Sequence, residues 1–350
     1  MAHPGRIRLV VLFGGRSAEH PVSLRSARAV LGQLDAERYD LRPLGITRDG
    51  GWLGAAESRI LLEGGLPASS GGSPYLPDGT DCLFPVLHGP GGEDGTLQGW
   101  AELCGVPCVG SPCLGSALAM DKGIAKRVLR DAGVPVLPWT ELRRQDFEAD
   151  PDAAAARLFA FAAGPCFVKP LALGSSIGIS RADDPSSLRE ALELAFRYGR
   201  AALVEPEYCG RELEIAVLEG QPPLVSPPGE IRPTAWYDYQ AKYLDDSAAL
   251  LIPAPEVPPA ALEALRRHAA TAFEALRLAG MARVDFFLGG GGQVVLNEVN
   301  TIPGFTSISM YPRLMELAGV PFGELCDRLV QLALARAGSE GQLEAEHRTA

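Results

Sequence analysis

The tract from Met281 to Tyr311 constrains the fold of this 350-residue chain most tightly. Met281-Ala282-Arg283-Val284-Asp285-Phe286-Phe287-Leu288 is an apolar run carrying two charges, four glycines follow at Gly289 to Gly292, and a second run ends in Asn297-Glu298-Val299-Asn300. Two apolar runs around a glycine turn read as a β-hairpin. Side chains alternate across a strand, so Arg283 and Asp285 share one face, and Glu298 and Asn300 share one too. If these faces meet in the hairpin, three oxygen ligands and one guanidinium converge. Carboxylates gathered on a hydrophobic hairpin are costly without a cation. Hard oxygen donors suit Mg²⁺, which usually arrives with a nucleotide phosphate. Asp285, Glu298 and Asn300 are therefore the candidate metal ligands.

Bulk properties narrow the class. The length suffices for two or three domains with real cores, and 47% hydrophobic residues fits an ordinary soluble enzyme. A net charge of −11 disfavours non-specific nucleic-acid binding. Seven cysteines form no CxxC pair, and Cys104, Cys108 and Cys113 have no histidine near them, so buried reduced thiols are expected rather than zinc. The apolar run Leu9 to Phe13 is too short for a signal segment, and no stretch reaches membrane-spanning length. A cytoplasmic protein with no membrane partner is the expectation.

Along the chain, a buried strand at 7–13 turns through Gly14-Gly15 into a helix reaching about Leu34, and strands follow near 40–46 and 82–87. The stretch 62–79 reads as a surface loop. One helix is predicted from about Ser116 to Ala132, then an Ala-rich helix at 153–163, a strand at 166–169, a helix at 187–198 and a strand at 201–205. The last third opens with a strand at 212–218 and a long Pro-rich loop, 222–259. A helix at 260–279, the hairpin and a closing helix complete it, and a polar, disordered tail is expected after Ala337.

Several constellations could carry chemistry. The loop Gly174-Ser175-Ser176-Ile177-Gly178 can wrap phosphate oxygens, although taken alone a plain hairpin is the simpler reading. Lys169, at the end of the preceding strand, shifts the balance toward a polyphosphate clamp. Lys122 offers a second cation, but by itself reads as a solvated helix residue. Glu205 and Glu212 bracket a connection that could grip an adenine edge and ribose hydroxyls; two exposed glutamates are the equal alternative. Glu19 sits at a helix N-terminus, as either a cap or an anchor for a substrate amine. His88 precedes Gly89-Pro90-Gly91-Gly92-Glu93-Asp94-Gly95 at the carboxyl end of a strand, where open α/β sheets bind ligands. The run Tyr237 to Tyr243 lies in a long loop that could serve as a lid or as mere packing.

Six segments occur in order: Phe13-Gly14-Gly15-Arg16-Ser17-Ala18-Glu19-His20; Leu87 to Gly95; Met120-Asp121-Lys122; Val168-Lys169-Pro170 with Gly174-Ser175-Ser176; Tyr237 to Tyr243; and Asn297 to Thr306. Together they resemble the D-alanine–D-alanine ligases of the ATP-grasp superfamily over nearly the whole chain. The resemblance implies an α/β, three-domain ATP-grasp architecture. Residues 1–112 would form an N-terminal Rossmann-like domain, 113–208 a central subdomain, 209–338 a C-terminal subdomain with lid and metal site, and 339–350 a tail.

It also implies ATP-dependent ligation of two D-alanine molecules through an acyl phosphate, for peptidoglycan precursor synthesis, by a homodimer. Lys122 and Lys169 would hold the α- and β-phosphates, with Ser175, Ser176 and Lys242 also at the nucleotide. Glu205 and Glu212 would face adenine and ribose, and Asp285, Glu298 and Asn300 would hold two Mg²⁺ (or Mn²⁺) ions. Glu19 would bind the first D-alanine's ammonium in a link with Ser175 and Tyr243, and His88 would line the substrate site. Ser309 and Lys242 would receive the second carboxylate, and Arg283 with the Gly304 N–H would form an oxyanion hole.

The Tyr-Asp-Tyr…Ala-Lys-Tyr pattern ending at Tyr243 favours an amine acceptor over a hydroxyl. Pro206 follows Glu205 where the family more often has lysine or glutamine, and Cys108 replaces a common aromatic. D-serine or D-lactate as second substrate, or a catalytically silent ATP-binding regulator, are the alternatives; the presence of every expected ligand and oxyanion residue argues against silence. A Rossmann dehydrogenase fails because no Gly-x-Gly-x-x-Gly follows the first strand.

Overall fold

A computed structural model describes residues 5–174, 177–232 and 249–349. The chain opens with β1 (Ile7–Gly14), flanked in parallel by β2 (Tyr39–Ile46) and β3 (Cys82–Pro85) in the order β2-β1-β3. Leu9 to Phe13 are fully buried, as befits a parallel strand covered on both faces. Helix α1 (His20–Gln33) makes the β1-to-β2 crossover, with Pro21 in its first turn. The turn into α1 requires Gly14, whose φ is +94° and where a Cβ would lie 2.1 Å from the Ile46 carbonyl oxygen. Helices α2 (Ala55–Leu62) and α3 (Thr96–Leu103) complete this layer.

The predicted helix over 116–132 is instead two helices, α4 (Cys113–Met120) and α5 (Lys122–Asp131). Asp121 breaks the run: its backbone is extended, and its carboxylate caps α5 by accepting from the Ile124 amide at 2.9 Å. Lys122 therefore opens a helix rather than lying inside one. A middle unit follows, with strands β4 (Thr140–Arg143), β5 (Cys166–Pro170), β6 (Ser180–Ala182) and β7 (Ala201–Pro206) in the antiparallel order β4-β7-β5-β6. Helices α6 (Arg144–Ala149), α7 (Pro151–Ala162) and α8 (Pro185–Tyr198) cover it through a core including Phe147, Leu158, Leu192 and Phe196.

The last sheet contains β8 (Gly210–Leu218), β9 (Leu224–Val225), β10 (Gly229–Arg232), β11 (Ala249–Leu251), β12 (Met281–Gly289) and β13 (Val294–Asn300), ordered β11-β10-β8-β12-β13 with β9 beside β8. Three of these strands lie in what reads as a Pro-rich loop; short strands tolerate proline at their ends. Helix α9 (Pro259–Ala275) packs Leu265, Ala269 and Phe273 against Leu213, Ile215, Val284 and Phe286. The α5 residues Ala125 and Leu129 join this same core. Helix α10 (Met310–Leu317) covers the sheet's other face, with Tyr311 donating to the Val217 carbonyl at 3.0 Å.

One core runs from Leu9 and Phe13 of β1 to Ala216, Phe305, Tyr311 and Leu329, which joins the first and last sheets. Helix α11 (Phe322–Thr349) continues through the expected disordered tail, whose Leu, Glu, Gln and Ala content favours helix. Among the described residues, no helix is long and apolar enough to cross a membrane.

Candidate active site

The hairpin delivers the predicted convergence by a device the alternation pattern does not contain. In β12, Ala282, Val284, Phe286 and Leu288 feed the α9 core, so Arg283 and Asp285 point to the opposite face. In β13, Val294 and Leu296 feed the same core. Strict alternation would then bury Glu298 and Asn300 there as well. A register shift between Asp285 and Phe286 leaves Asn297 as the extra residue of a β-bulge. Beyond it Val299 takes the core position, and Glu298 and Asn300 turn outward. Asp285 then stands opposite Glu298, and Arg283 opposite Asn300.

Arg283 is buried and binds Asp285 bidentately, at 2.8 and 2.7 Å, with Glu214 of β8 at 3.2 Å from its Nε. Asn300 accepts from the Ile302 amide at 3.0 Å. Among the described residues no three His, Cys, Asp or Glu side chains surround one metal position. Two opposed carboxylates and an amide still fit a hard divalent cation, because Mg²⁺ takes few protein ligands and completes its shell with water and phosphate oxygens.

Asp285 and Glu298 lie on one wall of a cleft of about 300 Å³ between the middle and last sheets, with Phe167, Lys169 and Glu205 on the other; Asn300 lines a smaller neighbouring cavity. Glu205, predicted as a cleft carboxylate and otherwise as an exposed glutamate, is buried. It is clamped between Lys126 and Lys169, the latter at 2.8 Å. Burial pushes its carboxyl up, but the two ammonium groups outweigh that and hold it below its ordinary value. Burial also pushes Lys169 down, and Glu205 reverses the sign, leaving its ammonium above the usual range. Lys126 and Lys122 lie below theirs because burial dominates, with Glu205 and Glu298 respectively opposing it. Lys169 also donates to Asn297 Oδ1 at 3.1 Å, while Lys122 donates to the Leu173 carbonyl at 2.6 Å and lies 3.7 Å from Glu298. Glu212 is exposed on the cleft edge.

A smaller cavity of about 50 Å³ connects Lys122, Asn297 and Glu298 to Glu19 and Glu93. Glu19 is buried at the start of α1 and its side chain makes no capping hydrogen bond, so the simple-cap alternative fails. Glu93 accepts from the Gly89 amide at 2.9 Å. Its carboxyl is pushed up to about 8, first by burial and then by Glu19. His88 is buried with both ring nitrogens engaged, Nδ1 with the Ile302 carbonyl at 2.9 Å and Nε2 with Ser26 Oγ at 3.1 Å. Burial holds its pKa below the ordinary value. Through these bonds the ring also acts as a strut beneath the 302–306 turn.

In that turn the Ile302, Phe305 and Thr306 amides donate to Asn300, Ser26 and Ser309 respectively. Among the described residues, the Gly304 amide donates to no protein acceptor. Ser309 is the N-cap residue of α10 but makes no side-chain cap, its Oγ instead meeting Thr306 Oγ1 at 2.8 Å. Ser175, Ser176, Lys242 and Tyr243 lie outside the described residues.

The sequence matches the D-ala D-ala ligase N-terminus over residues 8–111 and the D-ala D-ala ligase C-terminus over 128–331. The chain belongs to the D-alanine–D-alanine ligase family. It is 47% identical to the D-alanine–D-alanine ligase of Deinococcus radiodurans over 336 residues, covering 93% of this chain and 98% of that one. With that of Listeria innocua identity is 40%, covering 97% and 98%. The solved D-alanine–D-alanine ligase of Coxiella burnetii superimposes with a TM-score of 0.81 at 32% identity, covering 99% and 100%. VanG D-Ala:D-Ser ligase of Enterococcus faecalis does so with 0.82 at 36%, covering 94% and 99%.

For a D-alanine–D-alanine ligase family member, the site holds three residues that sequence reasoning passed over. Lys126 reads as one more polar position on α5, and only the fold shows it buried against Glu205. Glu214 alternates with Glu212 along β8, a period-two signal that could have flagged it. Glu93 lies inside a quoted motif, yet its distance from Glu19 is a tertiary fact.

Proposed function

We propose that this chain joins two D-alanine molecules into D-alanyl-D-alanine at the expense of ATP, as a step in peptidoglycan precursor synthesis. Family membership implies ATP use and D-alanine substrates. The observation that carries the reading is the pairing of Asp285 with Glu298 on a wall of the cleft that Lys169 also lines.

ATP occupies the cleft between the middle and last sheets, its α- and β-phosphates against Lys122 and Lys169. Ser175 and Ser176 wrap the phosphates, Glu205 and Glu212 face adenine and ribose, and Lys242 reaches the nucleotide from the lid. Glu205 reaches adenine while balancing two lysines, which confines it to one orientation. Asp285, Glu298 and Asn300 would hold two Mg²⁺ or Mn²⁺ ions, which when bound neutralise phosphate charge.

Glu19 anchors the ammonium of the first D-alanine, supported by Ser175 and Tyr243. A carboxylate oxygen of that D-alanine attacks the γ-phosphorus, a new O–P bond forms, and the bond to ADP breaks. The deprotonated amine of the second D-alanine, its carboxylate held by Ser309 and Lys242, then attacks the acyl carbon. Arg283 and the Gly304 N–H stabilise the tetrahedral oxyanion, and inorganic phosphate leaves. His88 lines the substrate site and positions the 302–306 turn. Residues 1–112, 113–208 and 209–338 act as the three working units, in a cytoplasmic homodimer with no nucleic-acid or membrane partner; the net charge of −11 supports the absence of nucleic acid.

The likeness to a D-Ala:D-Ser ligase at 36% identity favours D-serine as the second reading for the acceptor. Incubation with ATP, Mg²⁺ and D-alanine, with D-serine and D-lactate as competitors, should give ADP and D-alanyl-D-alanine in equal amounts. A mixed dipeptide or depsipeptide as the major product would shift the acceptor assignment, and no coupled product would refute the proposal.

A further inference from the structure

The turn that carries the Gly304 amide is held from a distant part of the chain by a hydrogen-bond path with a single permitted direction. The Ile302 carbonyl can only accept, so His88 Nδ1 carries a hydrogen and donates to it at 2.9 Å. Burial favours the neutral ring, in which Nε2 is an acceptor. The Ser26 hydroxyl, 3.1 Å away, must then donate to Nε2, and its oxygen is left to accept the Phe305 N–H at 3.3 Å. Ser26 is fully buried on α1, 279 residues before Phe305. Its hydroxyl and the imidazole thus grip the turn on both sides of Gly304, whose own amide has no protein acceptor among the described residues.

We infer that Ser26 is a positioning residue which, with His88, locks the Ile302–Phe305 turn and so aims the Gly304 N–H at the acyl oxygen. The inference rests on the ligase reading and adds to it a role for the first domain in the second chemical step. A donor to a developing oxyanion must be held before charge appears. A misplacement of about 1 Å costs on the order of a hundredfold in rate, so a partly relaxed turn should cost about tenfold. Phosphoryl transfer to the first D-alanine does not use this amide, so acyl phosphate would still form and be lost to water.

The test compares the full-length wild-type chain with S26A and S26C, given ATP, Mg²⁺ and D-alanine. Cysteine fills the serine volume but is a weak hydrogen-bonding group, so it separates packing from direction. Both variants should lose about tenfold in dipeptide turnover, keep KM for ATP within about twofold, and release more ADP than dipeptide. Wild-type kinetics in both variants would overturn the inference alone. So would an impaired S26A beside a normal S26C, or failure of both to fold in a thermal melt, because either makes Ser26 a packing residue. A wild-type chain that forms no dipeptide would instead overturn the ligase reading, and this inference with it.

Discussion

Asp285 stands directly across the β12–β13 hairpin from Glu298, and a bulge at Asn297 is the reason. Val294, Leu296, Glu298 and Asn300 share one parity, so an unbulged strand would send both polar residues into the α9 core. The bulge converts one apolar strand into a strand that is apolar for half its length and ligand-bearing for the rest. Deleting Asn297 should remove the bulge yet leave Leu296 and Val299 in the core and Glu298 and Asn300 facing outward, because Glu298 then follows Leu296 directly. That variant is expected to keep a cooperative thermal transition, and loss of that transition would contradict the register argument.

Glu298→Gln keeps the shape and removes a charge from a cleft that should bind cations. Turnover is expected to fall by at least about a hundredfold, with an unaltered melting midpoint. Steady-state ADP release alongside a thermal melt separates these outcomes. Full activity would remove Glu298 from the ligand set.

Arg283 has two duties, and its substitution must be chosen accordingly. Methionine would strand Asp285 and Glu214, two buried carboxylates, and breaking such a pairing costs about 3–5 kcal/mol. Lysine keeps the charge and loses the fork. Arg283→Lys should therefore fold, bind ATP within a few-fold of wild type, and lose on the order of a hundredfold in kcat. A loss confined to ATP affinity would place Arg283 at the nucleotide instead of the oxyanion.

Lys126 shares Glu205 with Lys169. Without it, Glu205 draws wholly on Lys169, the proposed phosphate ligand. Lys126→Met should weaken ATP binding by about tenfold, roughly 1.4 kcal/mol, and lower the melting midpoint. Calorimetric titration of ATP checks the first effect; unchanged affinity would show that Lys169 is set by other contacts.

Glu93 makes stability depend on pH with a definite sign. Its carboxyl is raised from an ordinary 4.5 to about 8 in the folded chain, by burial and then by Glu19. Between those values the folded state holds a proton that the unfolded state has released, so this group's contribution to stability falls as pH rises from about 4.5 toward 8. Melting midpoints of Glu93→Gln should decline less over that window than those of wild type. Parallel pH profiles for the two proteins would mean that Glu93 is already ionised in the fold.

Much of this site was readable from local spacing. Period-two alternation puts Arg283 with Asp285, a glycine turn leads into Glu19, and Lys169 ends a strand beside a glycine-serine loop. What escaped depends on neighbours that no local pattern contains. The Asn297 bulge is fixed by pairing with β12, and the burial of Lys126 and Glu93 by helices and loops from other parts of the chain. Strands β9 to β11 were hidden by prolines that short strands accommodate at their ends. The break between α4 and α5 was legible in principle, since Asp121 is a preferred capping residue, but the continuous apolar pattern masked it.

The measurement that bears most directly on an acyl phosphate formed in this cleft uses D-alanine labelled with ¹⁸O in its carboxylate. Attack on the γ-phosphorus and later departure of phosphate carry one labelled oxygen away from the amino acid. Mass spectrometry of the inorganic phosphate should show one ¹⁸O per dipeptide formed. Unlabelled phosphate, produced together with dipeptide, would contradict activation of the first D-alanine by phosphorylation.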